Sequence, residues 1–173
     1  MKKIALLISD GSEEIEALTP VDVLRRANVI VDVFSVCDKK VKGSHGIIIE
    51  ADKMIDELSM DDYDGIVIPG GMPGASIISE NVKAVKEIEK AVNNGKLVSA
   101  ICASPAVVLA NNGLLKCQQA TCYPAKDFVD ALKDKYVDLP VVVSQNFITA
   151  NGPKSAMDFS FAICKYFNLE PKF

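Results

Sequence analysis

Several large classes of protein require features that this sequence lacks. No apolar run approaches the roughly 20 residues of a membrane-spanning helix, and no basic run offsets the net charge of −4, so neither a membrane span nor a nucleic-acid surface is predicted. The five cysteines are an odd number and include no C-x-x-C pair. This usage predicts a reducing, cytoplasmic location rather than a disulfide framework.

The apolar stretch near the first residue is also too short for a secretory signal. Ile4 to Ile8 is followed at once by acidic residues, which indicates a buried first strand. With 173 residues, 49% hydrophobic and 24% charged, the chain has the balance of one globular domain over residues 1–173.

Strand and helix patterns alternate along the whole chain. Buried-type strands are predicted at 3–9, 29–36, 65–69, 97–101, 120–123, 140–144 and 147–150, with bent strand material at 41–51. Helical patterns occupy 13–27, 82–92, 125–133 and the segment around 159–167, and Thr19-Pro20 predicts a kink or restart in the first of them. This alternation predicts a mostly parallel sheet covered on both faces, a three-layer α/β/α sandwich.

The segment from Gly95 to Pro105 is the most informative. Its apolar run ends at Ile101 and Ser104-Pro105 is typical of a helix start, so Cys102 lies at the joint between strand and helix. Such a joint presents its side chain to the free N–H groups of the next helix, which favour a reactive thiolate. The alternative interpretation is that Cys102 is a small buried hydrophobic residue.

Sites in parallel sheets lie beyond the carboxyl ends of the strands, and two further loops meet that criterion. Gly70-Gly71 follows the third core strand and permits close backbone approach, although on its own it indicates only a tight turn. In the first loop, Glu13 and Glu14 are explained by the helix dipole and solvent. Glu16 lies among apolar neighbours; it is either a surface residue or an inward carboxyl that burial keeps protonated.

Together these residues resemble the ThiJ/PfpI superfamily, in particular its branch of the parkinsonism-linked protein DJ-one. The matching segments, in the order found in the family, are residues 11–16, 20–27, 63–64, 68–71, 100–105 and 152–153. The resemblance implies a flavodoxin-like fold with a cysteine nucleophile elbow, as in class I glutamine amidotransferases. It also implies a homodimer formed through the first helix, and neither a metal nor an organic cofactor.

Residue roles follow from the same resemblance. Cys102 would be the oxidisable nucleophile and Glu16 its protonated hydrogen-bond partner, with the backbone N–H groups of Gly71 and Ala103 forming an oxyanion site. Four further residues would line the pocket: Gly70, Tyr123, His45 and Asn151. The turn that contains His45 would lie beside the partner subunit's pocket, although a plain turn residue is the other interpretation of His45.

The sequence departs from the family at the position of a base. Relatives that act on glyoxals carry a histidine where this chain has Tyr123, and relatives grouped with the proteases carry one where it has Ala103. A cysteine–histidine hydrolase needs a base within about 3 Å of the sulfur, and His45 is the one histidine. Peptidase and amidotransferase chemistry are therefore disfavoured.

Two functions remain. The first is a redox-responsive stress-protection protein whose low-pKa Cys102 reacts with an oxidant and is held as a sulfinate beside Glu16. The alternative is a cofactor-independent glyoxalase or deglycase, in which Cys102 attacks a small reactive aldehyde such as methylglyoxal or its adducts. Because the family histidine is missing, the redox function is favoured and enzymatic turnover stays open.

Overall fold

A seven-stranded sheet forms the centre of the molecule, as described by a computed structural model of residues 1–173. Its apolar strands are buried on both faces, as parallel sheets require. The strand order is β5-β2-β1-β6-β7-β9-β8, and all neighbours are parallel except the β8–β9 pair at one edge. The strands are β1 (Lys3–Ile8), β2 (Ile30–Ser35), β5 (Lys53–Met54), β6 (Gly65–Ile68), β7 (Leu97–Ile101), β8 (Val141–Ser144) and β9 (Phe147–Ala150).

Helices cover both faces of this sheet, because alternate strand residues point to opposite sides. One core of 23 buried residues lies under α1 (Glu14–Arg26) and α5 (Ala156–Tyr166). The other core, of 26 buried residues, lies under α2 (Gly74–Glu80), α3 (Val82–Asn93), α4 (Lys126–Leu132) and a π-helix at Pro105–Ala110. The predicted three-layer, flavodoxin-like α/β/α architecture is confirmed. None of the helices is long and apolar enough to cross a bilayer.

A separate two-stranded hairpin lies next to the start of α1. It pairs β3 (Lys40–Lys42) with β4 (Ile48–Glu50) in antiparallel register. The turn between them occupies residues 43–47, where the sequence predicted bent strand material. Gly11 N–H donates to the Lys42 carbonyl at 2.9 Å and Ser44 N–H to the Ser12 carbonyl at 2.9 Å, so the hairpin is fastened to the first loop.

One local prediction was wrong and two are refined by the structure. Residues 120–123 form only an isolated bridge from Ala120 to Tyr136, because the segment satisfies its remaining backbone groups with loops. The first helix does not restart at Thr19-Pro20 but runs unbroken through Pro20, which leaves the Glu16 carbonyl without its usual helical donor. A helix follows Cys102 as predicted, beginning at Pro105, and it is a six-residue π-helix.

Candidate active site

Loops that follow β1, β6 and β7 meet at the carboxyl edge of the sheet and bond to one another. Glu13 N–H donates to the Gly70 carbonyl at 3.0 Å. The Ser104 hydroxyl donates to the Pro69 carbonyl at 2.5 Å, and the Ser9 hydroxyl to the Gly74 carbonyl at 2.9 Å. The sequence did not predict that Ser104 and Ser9 connect these loops. A serine whose hydroxyl bonds only backbone carbonyls belongs to no recognisable sequence motif.

Cys102 occupies the first position after β7 in a strained backbone conformation. Its φ of +64° lies in the left-handed region, which non-glycine residues rarely adopt. The Cys102 N–H donates to the Ala150 carbonyl at 2.9 Å, and its carbonyl accepts from Tyr123 N–H at 2.8 Å. These bonds hold the sharp turn. Cys102 is partly exposed and also packs against the core under α1 and α5.

Glu16 is fully buried on α1 and points inward toward the cysteine. Its Oε2 accepts a hydrogen bond of 2.8 Å from Gly70 N–H, whereas its Oε1 has no partner that meets hydrogen-bond geometry. The thiol of Cys102 lies within reach of this carboxyl. The interpretation of Glu16 as a surface residue is therefore wrong.

Glycines 70 and 71 are required by the space between these groups. A Cβ atom at Gly70 would lie 2.6 Å from both Cys102 Cβ and Glu16 Oε2. Gly71 has a φ of +87°, and a Cβ there would lie 2.5 Å from Glu13 N. The pair is more than a tight turn, because it lets the thiol and the carboxyl approach each other and brings Gly71 N–H to the sulfur.

Burial raises the pKa of both reactive groups. It raises the pKa of Glu16 to about 7, against the hydrogen bonds from Cys102 and Gly70. Burial, followed by the charge of an ionised Glu16, raises the pKa of Cys102 to about 12, although the N–H groups of Ala103 and Gly71 act in the opposite direction. The low pKa that the sequence predicted for Cys102 is therefore wrong while Glu16 is ionised.

The two groups compete for one negative charge. On the sulfur this charge is favoured by the nearby N–H groups of Ala103 and Gly71, and Cys102 is partly exposed to water. On Glu16 it is favoured by Gly70 N–H and by the Cys102 thiol, but in a fully buried position. The carboxyl has the lower pKa of the two and loses its proton first, and burial keeps that proton bound up to about pH 7.

The structure brings Tyr123 to this site. Its backbone bonds Cys102, its side chain is 46% exposed, and its ring lies 3.5 Å from where a Gly152 Cβ would be. The neighbouring Cys122 points the other way into the core, where burial raises its pKa to about 11. Asn151 follows the Ala150 that anchors Cys102, but its Oδ1 accepts a 2.7 Å bond from the Ser155 hydroxyl.

His45 lies in the hairpin turn and bonds acidic residues rather than Cys102. Its Nδ1 is 3.2 Å from Glu13 Oε2 and 3.1 Å from Glu14 Oε2. Both glutamates are buried, so assigning them to the helix dipole and solvent alone was wrong. Burial opposes ionisation of Glu14, but bonds from backbone N–H groups and from His45 lower the pKa of Glu14 to about 2.

Comparisons with known proteins show the family of the chain. The sequence model of the DJ-1/PfpI family matches residues 2–166. The chain is 38% identical over 167 residues to Protein DJ-1 homolog B of Arabidopsis thaliana, covering 95% of this chain and 38% of that protein. It is 34% identical over 161 residues to Glutathione-independent glyoxalase DJR-1.2 of Caenorhabditis elegans, covering 92% and 85%.

A solved structure gives the same result. Toxoplasma gondii DJ-1, in an oxidized form, superimposes with a TM-score of 0.93 at 39% identity, covering 96% of this chain and 91% of that one. The chain spans only 38% of the Arabidopsis homolog B and 42% of the related homolog A. The family predicted from the sequence is confirmed.

Proposed function

Because the chain belongs to the DJ-1/PfpI family, we propose that it is a redox-responsive stress-protection protein whose oxidisable group is Cys102. The observation that carries this proposal is the pairing of a partly exposed thiol with a buried carboxyl whose pKa is raised to about 7. A neutral Glu16 would donate a hydrogen bond to the sulfur, and the N–H groups of Gly71 and Ala103 would donate to the negative charge that develops there. The proposal is also supported by a similar solved structure, that of Toxoplasma gondii DJ-1, which is of an oxidized form.

The proposed reaction uses two molecules of peroxide. The thiolate attacks one peroxide oxygen, the O–O bond breaks and hydroxide leaves, giving a sulfenic acid; the proton that the thiol released on ionising converts the hydroxide to water. The second peroxide transfers another oxygen to sulfur and leaves as water, giving a sulfinic acid, whose anion the N–H donors and Glu16 hold. Each step oxidises sulfur by two electrons and reduces one peroxide.

Mass spectrometry tests which cysteine reacts first. Under limiting peroxide, peptide mapping should place two added oxygens on Cys102 before any other cysteine is modified. Cys117 is the exposed cysteine and hence the strongest competitor on access alone, so Cys117→Ser is the matched control and should oxidise like the parent. Earlier modification of Cys37, Cys117, Cys122 or Cys164 would overturn the proposal.

A second candidate is a cofactor-independent glyoxalase or deglycase. It is favoured by the Caenorhabditis elegans relative, which is named a glutathione-independent glyoxalase, and by a carboxyl beside the thiol that can move a proton. Cys102 sulfur would add to the aldehyde of methylglyoxal, Glu16 would transfer the proton from the hemithioacetal carbon to its neighbour, and water would release lactate. Lactate formation that is absent in Cys102→Ser, and faster in Tyr123→His, would establish this activity; no lactate from either the parent or Tyr123→His excludes it.

The assembly we propose is a homodimer through the first helix. Exposed apolar side chains lie together at the start of α1 and on the hairpin fastened to it, namely Ile15, Leu18, Ile47 and Ile48, between 42% and 59% exposed. We further propose that residues 1–173 form one domain and that the protein is cytoplasmic. The cytoplasmic location is supported by the five cysteines, which are all free.

A further inference from the structure

Three metal-ligating side chains lie together beside, but outside, the cysteine site. Glu13, Glu14 and His45 each present a ligand atom, and these atoms lie within 4.8 Å of one another. The two carboxylates are 12% and 5% exposed, whereas the imidazole is 71% exposed. The cluster is therefore anchored inside the protein and open to solvent on the histidine side.

No lysine or arginine pairs with this cluster. Two other carboxylates that are largely shielded from water do have lysine partners, since Asp32 faces Lys3 and Lys53 and Glu87 faces Lys83. Glu13 and Glu14 have only His45, which is a cation only when protonated. With a neutral imidazole the cluster holds two adjacent carboxylates without a permanent cation, an arrangement that a divalent ion would neutralise.

Two of the three spacings between the ligand atoms are close to those of tetrahedral zinc coordination. A zinc ion with ligands at about 2.0–2.1 Å has ligand atoms about 3.3–3.4 Å apart. His45 Nδ1 lies 3.2 Å from Glu13 Oε2 and 3.1 Å from Glu14 Oε2. The Ser44 hydroxyl lies 3.1 Å from each of these three atoms and occupies the fourth corner, where water is the usual ligand.

We propose that Glu13, Glu14 and His45 form a binding site for a divalent transition metal of the zinc class. One imidazole nitrogen with two carboxylate oxygens suits zinc, whereas magnesium and calcium favour shells of oxygen only. The site departs from the expectation of no metal that the family resemblance gave. It uses neither Cys102 nor Glu16, so it stands or falls separately from the redox function.

Metal titration of the chelator-treated protein tests the site. Zinc added in calorimetry and native mass spectrometry should bind at one ion per chain. Cobalt should bind the same site and give the visible absorption of nitrogen and oxygen ligands, without a thiolate-to-metal charge-transfer band. His45→Ala should weaken the Kd for zinc by about tenfold or more. His45→Arg, which keeps a cation but cannot coordinate, should abolish binding.

Matched controls separate this site from cysteine coordination. Cys102→Ser and Cys37→Ser should bind zinc with the parent's Kd, and Glu13→Gln should weaken it like His45→Ala. Because the His45 side chain is exposed, its variants should keep the parent's circular dichroism spectrum, and urea denaturation measures the stability lost with its bonds to Glu13 and Glu14. Absence of one-to-one binding, indifference to His45→Ala, or loss of binding in Cys102→Ser would each show that these residues form only a proton-bridged cluster.

Discussion

Cys102 and Glu16 illustrate how two side chains that both lose solvation can still make a reactive pair. Each is disfavoured as an anion by burial, and their proximity prevents both from ionising together. The pair therefore shares one charge. In the proposed function, the reactivity of the Cys102 thiol would depend on the protonation of Glu16.

Two substitutions of Glu16 separate its roles as a donor and as a charge. Glu16→Gln keeps an N–H donor for the sulfur and removes the carboxylate, whereas Glu16→Leu removes both. Since a hydrogen bond to a charged acceptor contributes about 1.5–3 kcal/mol, the Cys102 pKa should be about one to two pKa units higher in the leucine variant. Rates of thiol alkylation measured over a pH series give the Cys102 pKa in each variant. The stable sulfinate should be lost only in the leucine variant. Equal pKa values in the two variants would remove the donor role from Glu16.

The raised pKa of Glu16 also predicts how stability depends on pH. The folded state holds this proton more tightly than the unfolded state, so its contribution is full below pH 4.5 and is lost as pH rises through about 7. At about 1.4 kcal/mol per pKa unit, the loss amounts to about 3 kcal/mol. Glu16→Gln should therefore gain up to about 3 kcal/mol in unfolding free energy over the parent between pH 4.5 and pH 8, measured by urea denaturation. A gain independent of pH would contradict the assignment.

At the scale of elements, the β3–β4 hairpin depends on one buried side chain from α1. Glu14 Oε1 accepts from His45 N–H at 2.8 Å and from Ile47 N–H at 3.3 Å. A Cβ at Gly43 would lie 2.3 Å from this oxygen, so the turn wraps closely around the carboxylate. Glu14 therefore attaches the turn of the hairpin to the first turn of α1.

Amide hydrogen exchange measures this attachment. Glu14→Gln removes the charged acceptor, and at about 1.5–3 kcal/mol for a hydrogen bond to a charged group the His45 and Ile47 amides should exchange about ten- to a hundredfold faster. Glu50→Gln is a matched control, because Glu50 is an exposed acid in β4, and it should leave these rates unchanged. Unchanged rates in Glu14→Gln would show that the hairpin holds itself.

The sequence predicted the central strands and most helices because burial on both faces leaves continuous apolar runs, as at β1 and β7. It failed at residues 120–123, where an apolar run is buried by loops without a neighbouring strand to pair with. Cys102 was predictable from its place between strand and helix. The roles of Glu13, Glu14 and Ser104 were not, because their partners come from distant loops and from backbone atoms that leave no trace in residue spacing.

At the scale of the whole molecule, the exposed apolar surface of α1 and the hairpin is where we propose that a second copy of the chain binds. Ile15 and Leu18 are one helical turn apart and 52% and 42% exposed. Leu18→Lys should shift the chain from the mass of a dimer to the 18.6 kDa of one chain, with at least about 100-fold weaker association. Analytical ultracentrifugation measures it, with Val82→Lys, 77% exposed on α3, as the control. A monomeric parent, or a dimeric Leu18→Lys, would contradict the proposed interface.

The bonds that fasten the Cys102 backbone carry a consequence for the proposed oxidation. Ala150 and Tyr123 hold its N–H and carbonyl at 2.9 and 2.8 Å, so we expect added oxygens to enlarge the side chain while the main chain stays in place. If Cys102 is oxidised as proposed, the reduced and the oxidised protein would differ mainly in the size and hydration of one partly exposed group. A partner that distinguishes the two forms would then have to contact that group directly.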